Sequence, residues 1–213
     1  MRIASLVAAA LAAWLSAAPA HAASFLSNAL DPALSGDSVF TLDGEADNFR
    51  FTSYTVGGAF TLSTTGGDLR FDNQWTANFG TTGISLETRH QTGTNQFDIT
   101  FTTPVAAFGF NVNALDINWQ LEVFDATNAS LGVFTIAAQS PGMTGNNRRG
   151  YAGASSTGTP IAWARVTTQN PADGADFALV DNFALASVPE TQTAVLLTMG
   201  LIGLTAAGTP RRS

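Results

Sequence analysis

Gln96-Phe-Asp-Ile-Thr-Phe-Thr-Thr-Pro-Val-Ala-Ala-Phe-Gly-Phe-Asn-Val-Asn113 is the stretch that settles the fold class. In its first half Phe97, Ile99 and Phe101 share one face of an extended chain, and Asp98 and Thr100 share the other. Side chains alternate across a strand with a period of two, so this pattern predicts a strand with one buried and one wet face. Pro104 has no N–H to give to a ladder and is expected to end that strand. Residues 105–113 then predict a second strand, with Phe108, Phe110 and Val112 aligned on one face.

The alternation spreads outward from there. Downstream, Trp119, Leu121 and Val123 alternate with Gln120, Glu122 and Phe124; the turn Asp125-Ala-Thr-Asn128 follows, and 131–136 completes a hairpin. A Gly-, Asn- and Arg-rich loop over 141–150 leads to strands at 151–155 and 160–166, and 177–186 supplies the last. Upstream, 38–42, 49–54, 59–63, 68–71 and 84–89 read as short strands separated by Asp43-Gly44, Gly57-Gly58, Gly66-Gly67 and Gly83. No segment between 23 and 186 sustains a helical period. About ten to twelve short strands with frequent turn residues imply an all-β domain, a two-sheet jelly-roll-like β-sandwich.

The two ends have a different character. Met1-Arg2, the apolar run 3–15 and the small-x-small site Ala20-His21-Ala22 form a secretory signal peptide over 1–22, cut by signal peptidase after Ala22. At the other end Val188-Pro189-Glu190 precedes an uncharged, mostly apolar run, and Arg211 and Arg212 close the chain. The run extends over 193–209, and at about 1.5 Å per residue it is a short membrane helix. Such a helix spans by thinning the bilayer, and its basic end stays cytoplasmic. The chain therefore divides into 1–22, an exported domain over 23–186, and a C-terminal segment over 187–213.

That last segment resembles the PEP-CTERM sorting signal of exopolysaccharide-producing Gram-negative bacteria. Val188, Pro189 and Glu190 match the family's motif, and Thr191 stands where its second proline is usual. The resemblance implies recognition by an exosortase, removal of the helix, and transfer to the cell surface or extracellular matrix after an inner-membrane intermediate. A helix that stays uncut as a permanent anchor is the alternative. The run Thr103-Pro-Val-Ala-Ala-Phe-Gly-Phe110, the hairpin with Asp125, and Phe177-Ala-Leu-Val-Asp-Asn-Phe183 also look like the body of many PEP-CTERM proteins. Those bodies are predicted β-sandwiches related in shape to carbohydrate-binding modules.

Composition narrows the chemistry. There is no cysteine, so an exported domain must be held by its core alone, without disulfides. All nine basic residues are arginines; without Arg2, Arg211 and Arg212 six remain against sixteen acids, counting Glu190, a net charge near −10. Nucleic acid is disfavoured as a partner by that charge. After signal cleavage His90 is the only histidine, in a polar turn, and no Gly-x-Ser-x-Gly elbow surrounds any serine. Multi-His or Cys metal sites, cysteine nucleophiles and a conventional triad are therefore not expected. The expected role is non-enzymatic: an envelope or matrix protein associating with exopolysaccharide. The runner-up is a glycosidase, which needs only two carboxylates across a cleft.

Two sets of residues are candidates for binding. Asp43, Glu45 and Asp47 on a Gly-containing turn, with Asp37 upstream and Asp181 on the last strand, offer hard oxygens to a structural calcium. Asp173 and Asp176 form a second, sparser set. Ordinary Asx and Gly turns explain the same residues. For sugar, Trp75 among polar loop residues is the expected exposed ring, with Arg148, Arg149 and Tyr151 suited to acidic groups on a polysaccharide. Trp119 and Trp163 lie within alternating strands and read as core.

Overall fold

The computed structural model describes residues 22–35, 38–75, 79, 81–88, 95–138, 149–169 and 176–188. Strands β1 (Ala23–Leu26), β2 (Ser38–Phe40), β3 (Phe49–Phe51), β4 (Ser53–Val56), β5 (Phe60–Ser63), β6 (Leu69–Asp72) and β7 (Ser85–Glu87) make the first part. The second comprises β8 (Gln96–Asn113), β9 (Trp119–Phe124), β10 (Ser130–Ile136), β11 (Arg149–Ser156), β12 (Ile161–Thr168) and β13 (Leu179–Ser187). Apart from one 3-10 turn at Pro32–Leu34, the described residues are all-β, and every strand pairing is antiparallel. No helix among them is long and apolar enough to cross a membrane. Segments 1–21 and 189–213, where a signal peptide and a sorting helix are expected, lie outside the described residues.

β8 organises the architecture. Its residues 96–101 pair with β12 and β5, whereas 107–113 pair with β11 and β13; Val105 at the corner pairs with Ile161 of β12 and Ser187 of β13. One layer therefore runs β10-β9-β12-β8-β5-β4, and the other runs β1-β11-β8-β13. The free edge of β13 is then shared by β2 beside 183–185 and by β7, continuing to β6 and β3, beside 179–180. The strand does not end at Pro104, as the sequence suggested; it turns a corner there and passes from one layer to the other. The Thr102 N–H still reaches the Ala59 carbonyl at 2.9 Å, but Pro104 has no partner in any strand register, so its missing N–H costs the sheet nothing.

The corner folds β8 back on itself, so the sandwich-like core is filled by its own two halves. Phe97 faces Phe110 with ring centroids 6.2 Å apart, and Phe101 faces Phe108 at 5.0 Å. Leu62, Ile99, Trp119, Leu121, Val123, Val166 and Phe183 complete one continuous buried cluster. Each fully buried side chain of this size contributes about 1.5–3 kcal/mol relative to exposure.

The outer side of the second layer carries a smaller apolar cluster. Leu26 and Leu34 sit on Ala107, Ala184 and Ala186, with Ala33 and Tyr151 packed beside them. The 3-10 turn that delivers Leu34 is started by Pro32 and capped by Asp31, whose carboxylate accepts the Ala33 N–H at 2.9 Å. Gly109 is required in this face because the Tyr151 ring occupies the space a β-carbon would fill. β1, which no sequence pattern marked, exists because its partner β11 offers an open edge.

Candidate functional site

The wet face of the first layer follows from strand alternation. On β9 Trp119, Leu121 and Val123 are buried, so Gln120, Glu122 and Phe124 point outward. On β8 the buried Phe97, Ile99 and Phe101 leave Asp98 and Thr100 outside. On β12 Ala164, Val166 and Thr168 are buried and Trp163, Arg165 and Thr167 face out. Trp163 was expected in the core because it shares parity with Ile161. A bulge between Ile161 and Trp163 reverses the phase, so Ile161 is buried and Trp163 is not.

Register then aligns these side chains in rows across the strands. Trp163 lies opposite Phe124 on one side and Thr100 on the other; Arg165 lies between Glu122 and Asp98. The Phe124 and Trp163 rings stack at 3.8 Å between centroids with 6° between planes. The indole Nε1–H donates to Asn128 Oδ1 at 2.9 Å. Asn128 occupies the left-handed region (φ 67°) in the β9–β10 turn, a conformation asparagine tolerates. Asp125 ties that turn together, accepting the N–H groups of Thr127 and Ala129 at 2.8 and 2.9 Å and the Thr127 hydroxyl at 2.7 Å. The Thr127 hydroxyl, then the Ala129 amide, hold its carboxyl below the usual range.

Arg165 is fixed just as firmly. Its Nε and Nη2 donate to the two oxygens of Asp98, both at 2.8 Å, and its guanidinium carbon lies 5.3 Å from the centre of a Trp163 ring. Asp98, and more weakly Glu122, push the guanidinium pKa up. A pair this exposed adds at most about 1 kcal/mol to stability. What it supplies is geometry: two rings stacked face to face, each covering one face of the other, bordered by hydrogen-bonded donors and acceptors. Aromatic faces accept the C–H faces of sugar rings, while amides, carboxylates and guanidinium bind hydroxyls.

The residues expected from sequence to bind sugar lie elsewhere. Trp75 is half-buried; its Nε1–H donates to Glu87 Oε1 at 3.2 Å, and its ring packs on Phe79 and Phe177, each 5.6 Å away between centroids. It closes over a buried ion cluster in which Arg70 binds both Glu87 and Asp72. It is therefore an anchor, and the expectation of an open ring is corrected. Tyr151 lies on the outer side of the second layer, over Gly109. Arg149 opens β11 opposite Asn113, and Arg148 lies outside the described residues, as do Asp37, His90 and Asp173.

Of the expected calcium ligands that are described, Asp43 and Asp181 are neighbours, but the set does not gather into one cluster. Asp43 accepts the Ile84 N–H at 3.0 Å, Glu45 accepts the Tyr54 hydroxyl at 2.5 Å, and Asp47 accepts the Asn73 N–H at 3.0 Å. Asp181 accepts the N–H groups of Leu42 and Asn182 at 3.3 and 2.6 Å. Asp181 thus holds the amide next to Asp43, but no group of three or more His, Cys, Asp or Glu side chains forms a metal site among the described residues. Asp176 binds Trp119 Nε1–H at 2.7 Å and the N–H groups of Asp116 and Ile117 at 3.1 and 3.3 Å. Val188 is exposed just beyond β13; Pro189, Glu190, Arg211, Arg212 and Ala20 lie outside the described residues, and Ala22 is exposed at their start.

What sequence reasoning missed is a pair of adjacent outward rows, one holding Phe124 and Trp163 and the other Arg165 and Asp98. Part of the signal was present: Phe124 shares parity with Glu122, and Trp163 with Arg165. No family model and no curated protein matches the chain. Among solved structures it is similar to a DUF4465 family protein from Bacteroides caccae, at 8% identity and TM-score 0.41, over 78% of this chain and 100% of that one. It is also similar to the catalytic domain of a GH87 alpha-1,3-glucanase in complex with nigerose, at 16% identity and TM-score 0.37, over 72% of this chain but only 28% of that one. A family 29 carbohydrate-binding module is similar at 10% identity and TM-score 0.35, over 71% of this chain and 91% of that one. Likenesses this distant concern the general β arrangement and carry no argument about ligand or activity.

Proposed function

We propose that this chain is an exported, non-enzymatic protein whose jelly-roll-like β-sandwich associates with polysaccharide at the cell surface or in the extracellular matrix. One observation carries the binding reading: the Phe124–Trp163 stack on the wet face of the first layer, bordered by Arg165, Asp98 and Glu122. Export and sorting rest on the sequence of the two ends, with signal peptidase acting after Ala22 and an exosortase near Pro189-Glu190. The non-enzymatic reading is supported by how the carboxylates are spent. Asp72 and Glu87 are close through Arg70 but buried, and Asp98 is committed to Arg165. A glycosidase needs a carboxyl pair open to a cleft.

The test is affinity electrophoresis of the full chain in detergent through gels containing polysaccharides, beside the W163A variant. Retardation by a polysaccharide that W163A abolishes is expected, with no new reducing ends released. Release of reducing ends would put the glycosidase in its place. The mass and cell fraction of the native protein test the sorting half: loss of 190–213 is expected, and an intact C-terminus in the membrane fraction would leave a permanent anchor.

A further inference from the structure

We infer that the first layer's wet face binds an uncharged polysaccharide lying across the strands, over the row formed by Phe124, Trp163, Thr100, Thr61 and Thr55. This rests on the polysaccharide reading above and specifies the ligand's charge and direction.

Direction comes from register. Phe124 is opposite Trp163, Trp163 opposite Thr100, Thr100 opposite Thr61, and Thr61 opposite Thr55. One row thus crosses β9, β12, β8, β5 and β4 without a break, about 19 Å long at about 4.8 Å per strand. Its aromatic end offers the ring surface that the Phe124–Trp163 stack leaves uncovered, and its threonine end offers hydroxyls; Thr55 and Thr61 already bond each other at 2.9 Å on the exposed surface. The neighbouring row runs parallel to it: Glu122, Arg165, Asp98, Ser63 and Ser53. A sugar chain on the first row therefore has fixed hydrogen-bonding groups along one flank. Along β12, by contrast, Trp163 is followed by Arg165 and Thr167, with no second aromatic ring to continue a platform.

Charge comes from the same flank. Its ionised groups are two carboxylates and one guanidinium, and Asp98 takes two of the guanidinium N–H donors. The face is left net negative on a domain whose net charge is itself near −10. A polyanion is repelled by such a surface, while an uncharged chain loses nothing to it. The acidic polysaccharide that Arg148 and Arg149 suggested is not the ligand of this face.

The experiment measures the full chain in detergent against two sets of probes. Hydroxyethylcellulose, galactomannan, xyloglucan and dextran are uncharged; alginate and polygalacturonate are anionic. Binding to at least one uncharged polymer is expected, weakened about tenfold or more by W163A and by F124A. T61E, two strands away on the row, should weaken it comparably, whereas T167E, farther along β12, should leave it within about twofold. Both threonines are on the surface, so their variants keep the fold, and a thermal melt checks this. W163A-sensitive binding to the anionic polymers alone overturns the charge assignment but leaves the polysaccharide reading standing. Loss with T167E and not with T61E overturns the direction. Binding that no face variant disturbs overturns the site, and no binding to any probe overturns both readings.

Discussion

Phe101 and Phe108 are seven positions apart on one strand and yet face each other across the interior, 5.0 Å between ring centroids. The corner at Pro104 makes this possible, because it carries the second half of β8 into the opposite layer. The two layers are thereby joined by covalent chain at a corner whose Thr102 and Thr103 are exposed, as well as by packing between the two halves of the strand.

Truncating this contact should be costly. Phe108→Ala removes a fully buried ring that also neighbours Phe110. A loss of about 3–5 kcal/mol is expected, read as a fall in the urea midpoint with an unchanged m-value. A loss below about 1 kcal/mol would mean that the two halves of β8 do not pack as described.

Asp181 should make stability fall as pH rises. Burial pushes its carboxyl from 3.8 up to about 6, against the lowering effect of the Asn182 and Leu42 amides, with nearby Asp43 raising it further. Because the folded pKa exceeds the unfolded one, the protonated form is favoured by folding. Its contribution is complete below about pH 4 and is lost as pH rises through about 6, amounting to about 3 kcal/mol. Asp181→Asn stays neutral throughout. The stability of the variant minus that of the parent should therefore grow between pH 4 and pH 7 in denaturant titrations. A difference that is flat with pH would contradict the assignment.

Asp176 gathers three donors, and the Trp119 N–H is among them. Burial raises its carboxyl pKa, while the bond from Trp119 opposes that rise. Asp176→Ala strands the buried indole N–H and two loop amides, each costing about 1–3 kcal/mol. A lower melting temperature with an altered near-ultraviolet tryptophan signal is the expected result.

Arg70 neutralises Glu87 and Asp72 together in a buried cluster. Arg70→Met should cost about 3–5 kcal/mol, because two carboxylates then remain in the interior without a counter-charge. Adding Glu87→Gln and Asp72→Asn to that variant should recover much of the loss. Equal stability of the single and triple variants in chemical denaturation would argue against a buried cluster.

The strands of the second half were legible because their periods are clean. Phe97 to Phe101 and Trp119 to Phe124 alternate strictly, and burial follows that alternation residue by residue. Boundaries shifted where the chain broke the period without a turn residue to mark it. Thr52 divides 49–54 into β3 and β4, and the bulge after Ile161 turned Trp163 outward. Trp75 looked exposed because its neighbours in sequence are polar. Its neighbours in space include Phe177 and Glu87 as well as Phe79, and Phe177 lies about a hundred positions away, beyond any local window.

By itself the sequence determined that the domain is all-β and which residues alternate on most strands, since each depends on patterns a few residues long; the proposal of export rests on the sequence of the two ends alone. Only the tertiary structure decided which strands are neighbours, that β8 serves both layers, and that Phe124, Trp163, Thr100 and Thr61 stand in one row. Four strands far apart in the chain build that row, and local pattern carries no register between distant strands; the packing of the whole core sets it.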